Sequence, residues 1–200
     1  MVDSGKRREA TYQDVLDAPE HVVAEIIDGE LYLSPRPAVP HARAVSTLQA
    51  SLAPPFDFGD GGPGGWYFLV EPELHFGKQI LVPDMAGWRR ENLPKNLNVA
   101  FITDPPDWVC EGLSKSTVRL DRYKKMPIYA KAGVTHAWLV DPIMRSLEVY
   151  RRENRKFELV RMFVDDELIK AEPFDAIELR LDRIWALPSR AGERAVDYGR

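Results

Sequence analysis

Two hundred residues, 44% of them hydrophobic and 29% charged, describe an ordinary soluble chain with enough apolar side chains for one good core. A formal net charge of −4 speaks against a uniformly basic nucleic-acid binder, and a single cysteine, Cys110, excludes an internal disulfide framework. The charged opening Met1 to Glu9 has no apolar run behind it, and no later run approaches the ~20 residues that cross a bilayer, so a cytoplasmic protein is expected.

Residues 1–10 and 188–200 read as flexible polar tails around a single domain at 11–187. Thr11 followed three residues later by Asp14 predicts a short capped helix. Val22 to Ile27 and Glu30 to Leu33, joined by Asp28-Gly29, form a hairpin, because Asp-Gly supplies the positive φ angles of a tight turn. His41 to Leu52 carries Val45, Leu48 and Leu52 at helical spacing. Pro54 to Gly65, rich in proline and glycine, is expected to be a poorly ordered loop. Trp66 to Phe76 and Ile80 to Trp88 alternate as a second hairpin around Gly77-Lys78-Gln79, and Asp107 to Leu113 is a further core strand. A helix from Thr117 to about Ala132, kinked or restarted at Pro127 and closed by Gly133, leads into the strand Thr135 to Val140; a strand, a helix and a strand in this order make a right-handed parallel unit. The remainder, through Phe157 to Phe163 and on to Ile184-Trp185, reads as a β-meander.

Two strands hold one carboxylate each among apolar neighbours: Asp84 after Pro83, and Glu111 between Cys110 and Gly112. Buried strands seldom carry an unpartnered acid, and two rigid, partly desolvated carboxylates suit a hard divalent cation such as magnesium or manganese. Glu73, on the same face as Asp84 across the hairpin, and the backbone carbonyl of Gly112 extend the candidate ligand set. A metal so held lowers the pKa of bound water and neutralises charge on a phosphoryl oxygen. A cation beside the attacking water completes such chemistry, and Asp121, Lys125 and Tyr129 form one helical stripe that offers Lys125, with Lys124 and Lys115 as competitors. A surface pairing of Lys125 with Asp121 explains the same spacing. From Arg119 to Arg161 the chain has 11 Lys and Arg against 5 Asp and Glu, a bias that a solvated face and a phosphate track explain equally well. His75, His136 and the five tryptophans read as packed side chains.

The ordered series Val82-Pro83-Asp84, Pro106 to Glu111, Ser114, Ser116-Thr117, Asp121, Lys125, Tyr129-Ala130, Gly133-Val134 and Trp138 to Pro142 resembles the Uma-two family of restriction-endonuclease-like proteins, within the PD-(D/E)XK nuclease superfamily. The resemblance spans Glu25 to about Trp185. It implies an α/β (α+β) fold with a mixed central sheet flanked by helices and the metal site on adjacent central strands. By motif position it implies Asp84 and Glu111 as metal ligands, Lys125 as a lysine migrated from strand to helix, and Glu25 as the N-terminal acidic position; His41 matches a frequent histidine without an assigned role. Gly112 and Lys115 depart from the family pattern, and a glycine in the strand is expected to loosen it.

The leading expectation is therefore a magnesium-dependent DNA endonuclease acting as a homodimer. The alternatives are a catalytically idle nucleic-acid-binding or interaction module of the same fold, and a small-molecule phosphohydrolase with a closed pocket.

Overall fold

A computed structural model of the chain describes residues 8–185. Near the start, the Asp14 carboxylate accepts the Thr11 N–H at 2.7 Å and caps α1 (Tyr12–Leu16). Strands β1 (Val22–Ile27) and β2 (Glu30–Pro35) form the expected hairpin, turning on Asp28 at φ 53° and Gly29 at φ 79°. Helix α2 (Val39–Leu52) starts with a proline in its first turn and buries His41, Ala44, Val45, Leu48 and Leu52.

The expected loop at Pro54 begins later. Ala53–Phe58 continues the helix as a π-helical turn, because Pro55 and Phe56 are buried and Phe56 packs in the core against Phe174. The next strands are β3 (Trp66–Val70), β4 (Leu74–Phe76), β5 (Gln79–Leu81) and β6 (Met85–Arg89). They do not form one long hairpin. Strand β3 pairs with β6 and β4 with β5, in different sheets. Pro72 and Pro83 stand in the two breaks, where a missing N–H interrupts the ladder on both sides.

Strand β7 (Trp108–Gly112) leads into a broken helix: α3 (Val118–Leu120), a π-helical turn Asp121–Lys125, and α4 (Met126–Ala132). Pro127 sits in the first turn of α4, so the helix restarts there, and Gly133 ends it at φ 116°. Then come β8 (His136–Asp141), β9 (Ser146–Glu153), β10 (Lys156–Val164), β11 (Leu168–Ile169) and β12 (Leu179–Arg180). The predicted closing strand at Ile184-Trp185 is instead α5 (Leu181–Trp185), with Leu181 and Ile184 buried at helical spacing.

The main sheet has six strands in the order β10-β9-β8-β7-β6-β3, parallel only between β7 and β8. One face, through Trp108, Cys110, Trp138 and Val140, packs on α2 and α5. The other, through Val109 and Leu139, packs on α4 and on Leu74 and Leu81 of the four-stranded sheet β2-β1-β5-β4. Four of the five tryptophans are core residues, and burial pushes the Cys110 thiol well above its ordinary pKa. Among the described residues no helix is long and apolar enough to cross a membrane. Of the expected tails, residues 1–7 and 188–200 lie outside the described residues, whereas Ala10 is fixed by its N–H to the Gly29 carbonyl at 2.8 Å.

Candidate active site

Asp84 lies between β5 and β6, where the chain passes from one sheet to the other, and not inside a strand. Its Oδ1 is 2.8 Å from His41 Nε2, and its Oδ2 accepts the Gly112 N–H at 2.6 Å. Gly112, whose carbonyl is among the expected ligands, lines the pocket and also fixes Asp84 through its N–H from the end of β7. It faces α2, and a Cβ there would stand 2.8 Å from His41 Cε1 and 3.0 Å from each ring nitrogen. The missing side chain is what admits the imidazole. Burial alone would depress the His41 pKa, but the hydrogen bond and charge of Asp84 outweigh it and raise it. Among the described residues, the buried His41 Nδ1 has no hydrogen-bond partner.

Successive residues of a strand point to opposite faces, so Glu111 looks the other way, toward the broken helix. There the buried Lys125 ammonium stands 2.9 Å from Oε1 of both Glu111 and Glu25 and 3.8 Å from Asp121. It also donates to the Val82 carbonyl at 3.2 Å, while Glu25 accepts the Val82 N–H at 2.8 Å. Tyr129 donates its hydroxyl to Glu111 at 2.6 Å. The stripe Asp121, Lys125, Tyr129 thus faces Glu111. Lys125 is a buried lysine, not a surface one paired with Asp121 alone.

Of the other expected residues, Glu73 is not in the site. The break at Pro72 turns it toward His75 at 2.7 Å, and Glu71, whose N–H donates to the Asp84 carbonyl, takes the place beside Asp84. Lys124 is exposed and 3.3 Å from Asp28, and Lys115 is an exposed loop residue. His136 is packed at the foot of β8, 3.8 Å from Glu172.

The site opens as a pocket of about 200 Å³ lined by Glu25, Glu71, Asp84, Glu111 and Asp121 against Lys125 and Arg36, beside His41. Negative charge is in excess and buried, so Glu111 and Asp121 hold their protons more tightly than exposed acids do. Burial pushes the Glu111 carboxyl well up and Asp121 up to about 6, the nearby Lys125 countering both. Lys125 stays protonated, because Glu111 and Glu25 outweigh its own burial. Among the described residues no three His, Cys, Asp or Glu side chains stand converged as a ready metal-holding group. The donor set nevertheless fits a hard divalent cation: oxygen ligands, crowded and short of positive charge. Asp84, Glu111 and Glu25 are the residues that would hold it.

The Uma2 family, described as "Putative restriction endonuclease", matches residues 10–182. Among solved structures the chain is similar to a crystal structure from Anabaena variabilis ATCC 29413, described as that of "a putative nuclease belonging to DUF820". The two share 23% identity at a TM-score of 0.71, over 88% of this chain and 97% of that one. At that identity the likeness is one of fold, a restriction-endonuclease-like mixed sheet with helices on both faces, as the motifs led us to expect. No curated protein matches.

Proposed function

The chain belongs to the Uma2 family, and from that premise we propose that it is a metal-dependent endonuclease hydrolysing phosphodiester bonds in DNA. The observation that carries this reading is the meeting of Asp84, Glu111, Glu25 and Lys125 in one cleft from four separate stretches of chain. A magnesium or manganese ion held there would activate a water and neutralise charge on the phosphate. His41 and the Gly112 N–H fix the Asp84 carboxylate from two sides, so its rotamer is set before any ligand arrives. Lys125 supplies a fixed positive charge for the anion that develops at phosphorus, and Tyr129 holds Glu111 in register with it.

The pocket, at about 200 Å³, is smaller than the roughly 300–1,000 Å³ typical of small-molecule sites, which favours a strand reaching in from outside over a free phosphoester. A symmetric dimer, working in the cytoplasm, would be the simplest way to cut both strands of a duplex. The absence of a converged ligand group among the described residues favours a second reading, an idle nucleic-acid-binding module.

One assay separates them. Plasmid and single-stranded DNA are incubated with the protein and magnesium, manganese or EDTA, beside the Asp84→Ala/Glu111→Ala variant. Metal-dependent cutting that the variant lacks establishes the nuclease; a folded, metal-binding protein that never cuts selects the idle module.

A further inference from the structure

A second cavity lies across the broken helix from the carboxylates. It occupies about 660 Å³ between α4 and the β9–β10 hairpin. Its floor is apolar: Met126 and Leu139 are buried core residues, and Phe157 packs partly against them. Its rim is basic, carrying Lys131, Arg155 and Lys156, all exposed, and no carboxylate lines it among the described residues. Tyr123, 72% exposed, stands at the mouth.

Of the 11 basic residues between Arg119 and Arg161, four line this cavity: Arg122, Lys131, Arg155 and Lys156. The two-residue turn between β9 and β10 favours glycine at its second position, yet that position is Arg155 at φ 67°, which sets a guanidinium on the rim. Arg122 on the wall is held by both oxygens of Glu148, itself bonded by Tyr150 at 2.6 Å, so the wall is a rigid support and not a loose chain. The cavity is also close to the chemistry. Leu139 on its floor is the direct register partner of Glu111, one strand away on the same sheet face, and Met126 is the residue after Lys125.

An apolar floor, an exposed aromatic ring and three cations without a lining acid match a ligand with a flat face and an anionic edge. We propose that this cavity binds a nucleotide unit of single-stranded nucleic acid, with the base against Tyr123, Met126 and Phe157 and the phosphates on Lys131, Arg155 and Lys156. The choice of a nucleic acid as the ligand rests on the nuclease reading; the cavity's preference for a flat anion does not.

The test is fluorescence anisotropy of the full chain with a fluorescein-labelled oligothymidylate in EDTA, where no metal-dependent cutting competes, with thymidine monophosphate and inorganic phosphate as competitors. Lys131→Ala/Lys156→Ala should weaken binding by about tenfold and reduce the logarithmic salt slope by roughly 0.7 per lysine removed. Tyr123→Ala should weaken it by about tenfold with the slope unchanged, since stacking is not ionic. Lys131→Arg/Lys156→Arg should retain affinity. Thymidine monophosphate should compete better than phosphate. Wild-type affinity in the double alanine variant overturns the proposal. So does an equal loss in Lys95→Ala, an exposed lysine elsewhere, because the attraction would then be diffuse. A change in self-association without a change in oligonucleotide binding overturns it too and makes the cavity a protein contact. Cutting that fails while this binding persists rejects the nuclease alone; binding that survives the pocket variants while cutting is intact rejects the cavity alone.

Discussion

Replacing Gly112 with alanine sets a methyl group against a ring that has little room to withdraw. The new Cβ would stand 2.8 Å from His41 Cε1 and 3.0 Å from both ring nitrogens, where ordinary contact begins at 3.4 Å. His41 is 9% exposed and tied to Asp84 at 2.8 Å, so relief requires the imidazole to leave a hydrogen bond to a charged partner. Overpacking of a filled site costs ~1–3 kcal/mol, and the hydrogen bond at risk is of the same order. A loss of ~2 kcal/mol is therefore expected, seen in urea unfolding or as a Tm lower by roughly 4–8 °C for a chain of this size. His41→Ala removes the obstacle. In that background Gly112→Ala should be neutral, or stabilising by up to ~1 kcal/mol through the stiffer unfolded chain. The double-mutant cycle isolates the contact, with a coupling near 2 kcal/mol expected. An equal cost of Gly112→Ala in both backgrounds would refute the idea that this glycine exists to seat the histidine.

Lys125→Met leaves Glu25 and Glu111 buried without their cation, and breaking a buried pair from one side costs ~3–5 kcal/mol; the penalty should shrink as pH falls, because burial already pushes the Glu111 carboxyl up and a protonated Glu111 needs no cation. Denaturation compared at acid and at alkaline pH decides this, and an unchanged penalty would contradict it. Asp121, raised from 3.8 to about 6, gives stability that is fully present below its unfolded pKa and is lost as pH rises through the folded value. Two units correspond to ~3 kcal/mol, so Asp121→Asn should stabilise the metal-free protein at neutral pH by up to that amount and flatten its pH profile between about 4 and 6. Calorimetric titration with manganese should give the same affinity for Glu73→Gln as for the wild type and none for Asp84→Asn; a large effect of Glu73→Gln would return that residue to the site. Phe56→Ala should cost ~3–5 kcal/mol, as deletion of a core aromatic does, whereas a loop residue would cost little.

The features the sequence carried locally were the ones it revealed. Asp28-Gly29 marked its hairpin, Asp14 its cap and Gly133 a helix end, each through chemistry within a few residues. The helical stripe Asp121, Lys125, Tyr129 also pointed the right way, since residues four apart share a face. What it concealed were relations between sheets. Alternation from Trp66 to Trp88 suited one long hairpin equally well, and only tertiary packing shows that Pro72 and Pro83 divide it between two sheets and turn Glu73 aside. The fit of Gly112 to His41 had no local signal, because it depends on α2 crossing the end of β7. The helical spacing of Leu181 and Ile184 was readable and was masked by the run of β-forming residues before it.

The split hairpin makes the cleft depend on the docking of two sheets. The cleft takes Glu25 and Asp84 from the four-stranded sheet and its exit, Glu111 from the six-stranded sheet and Lys125 from the helix over it. Neither sheet alone holds all of its walls. A chain with only one sheet formed has Glu25 and Asp84, or Glu111 and Lys125, but not the four together. On the proposed nuclease reading, activity would require the two sheets to dock, and so would report complete folding.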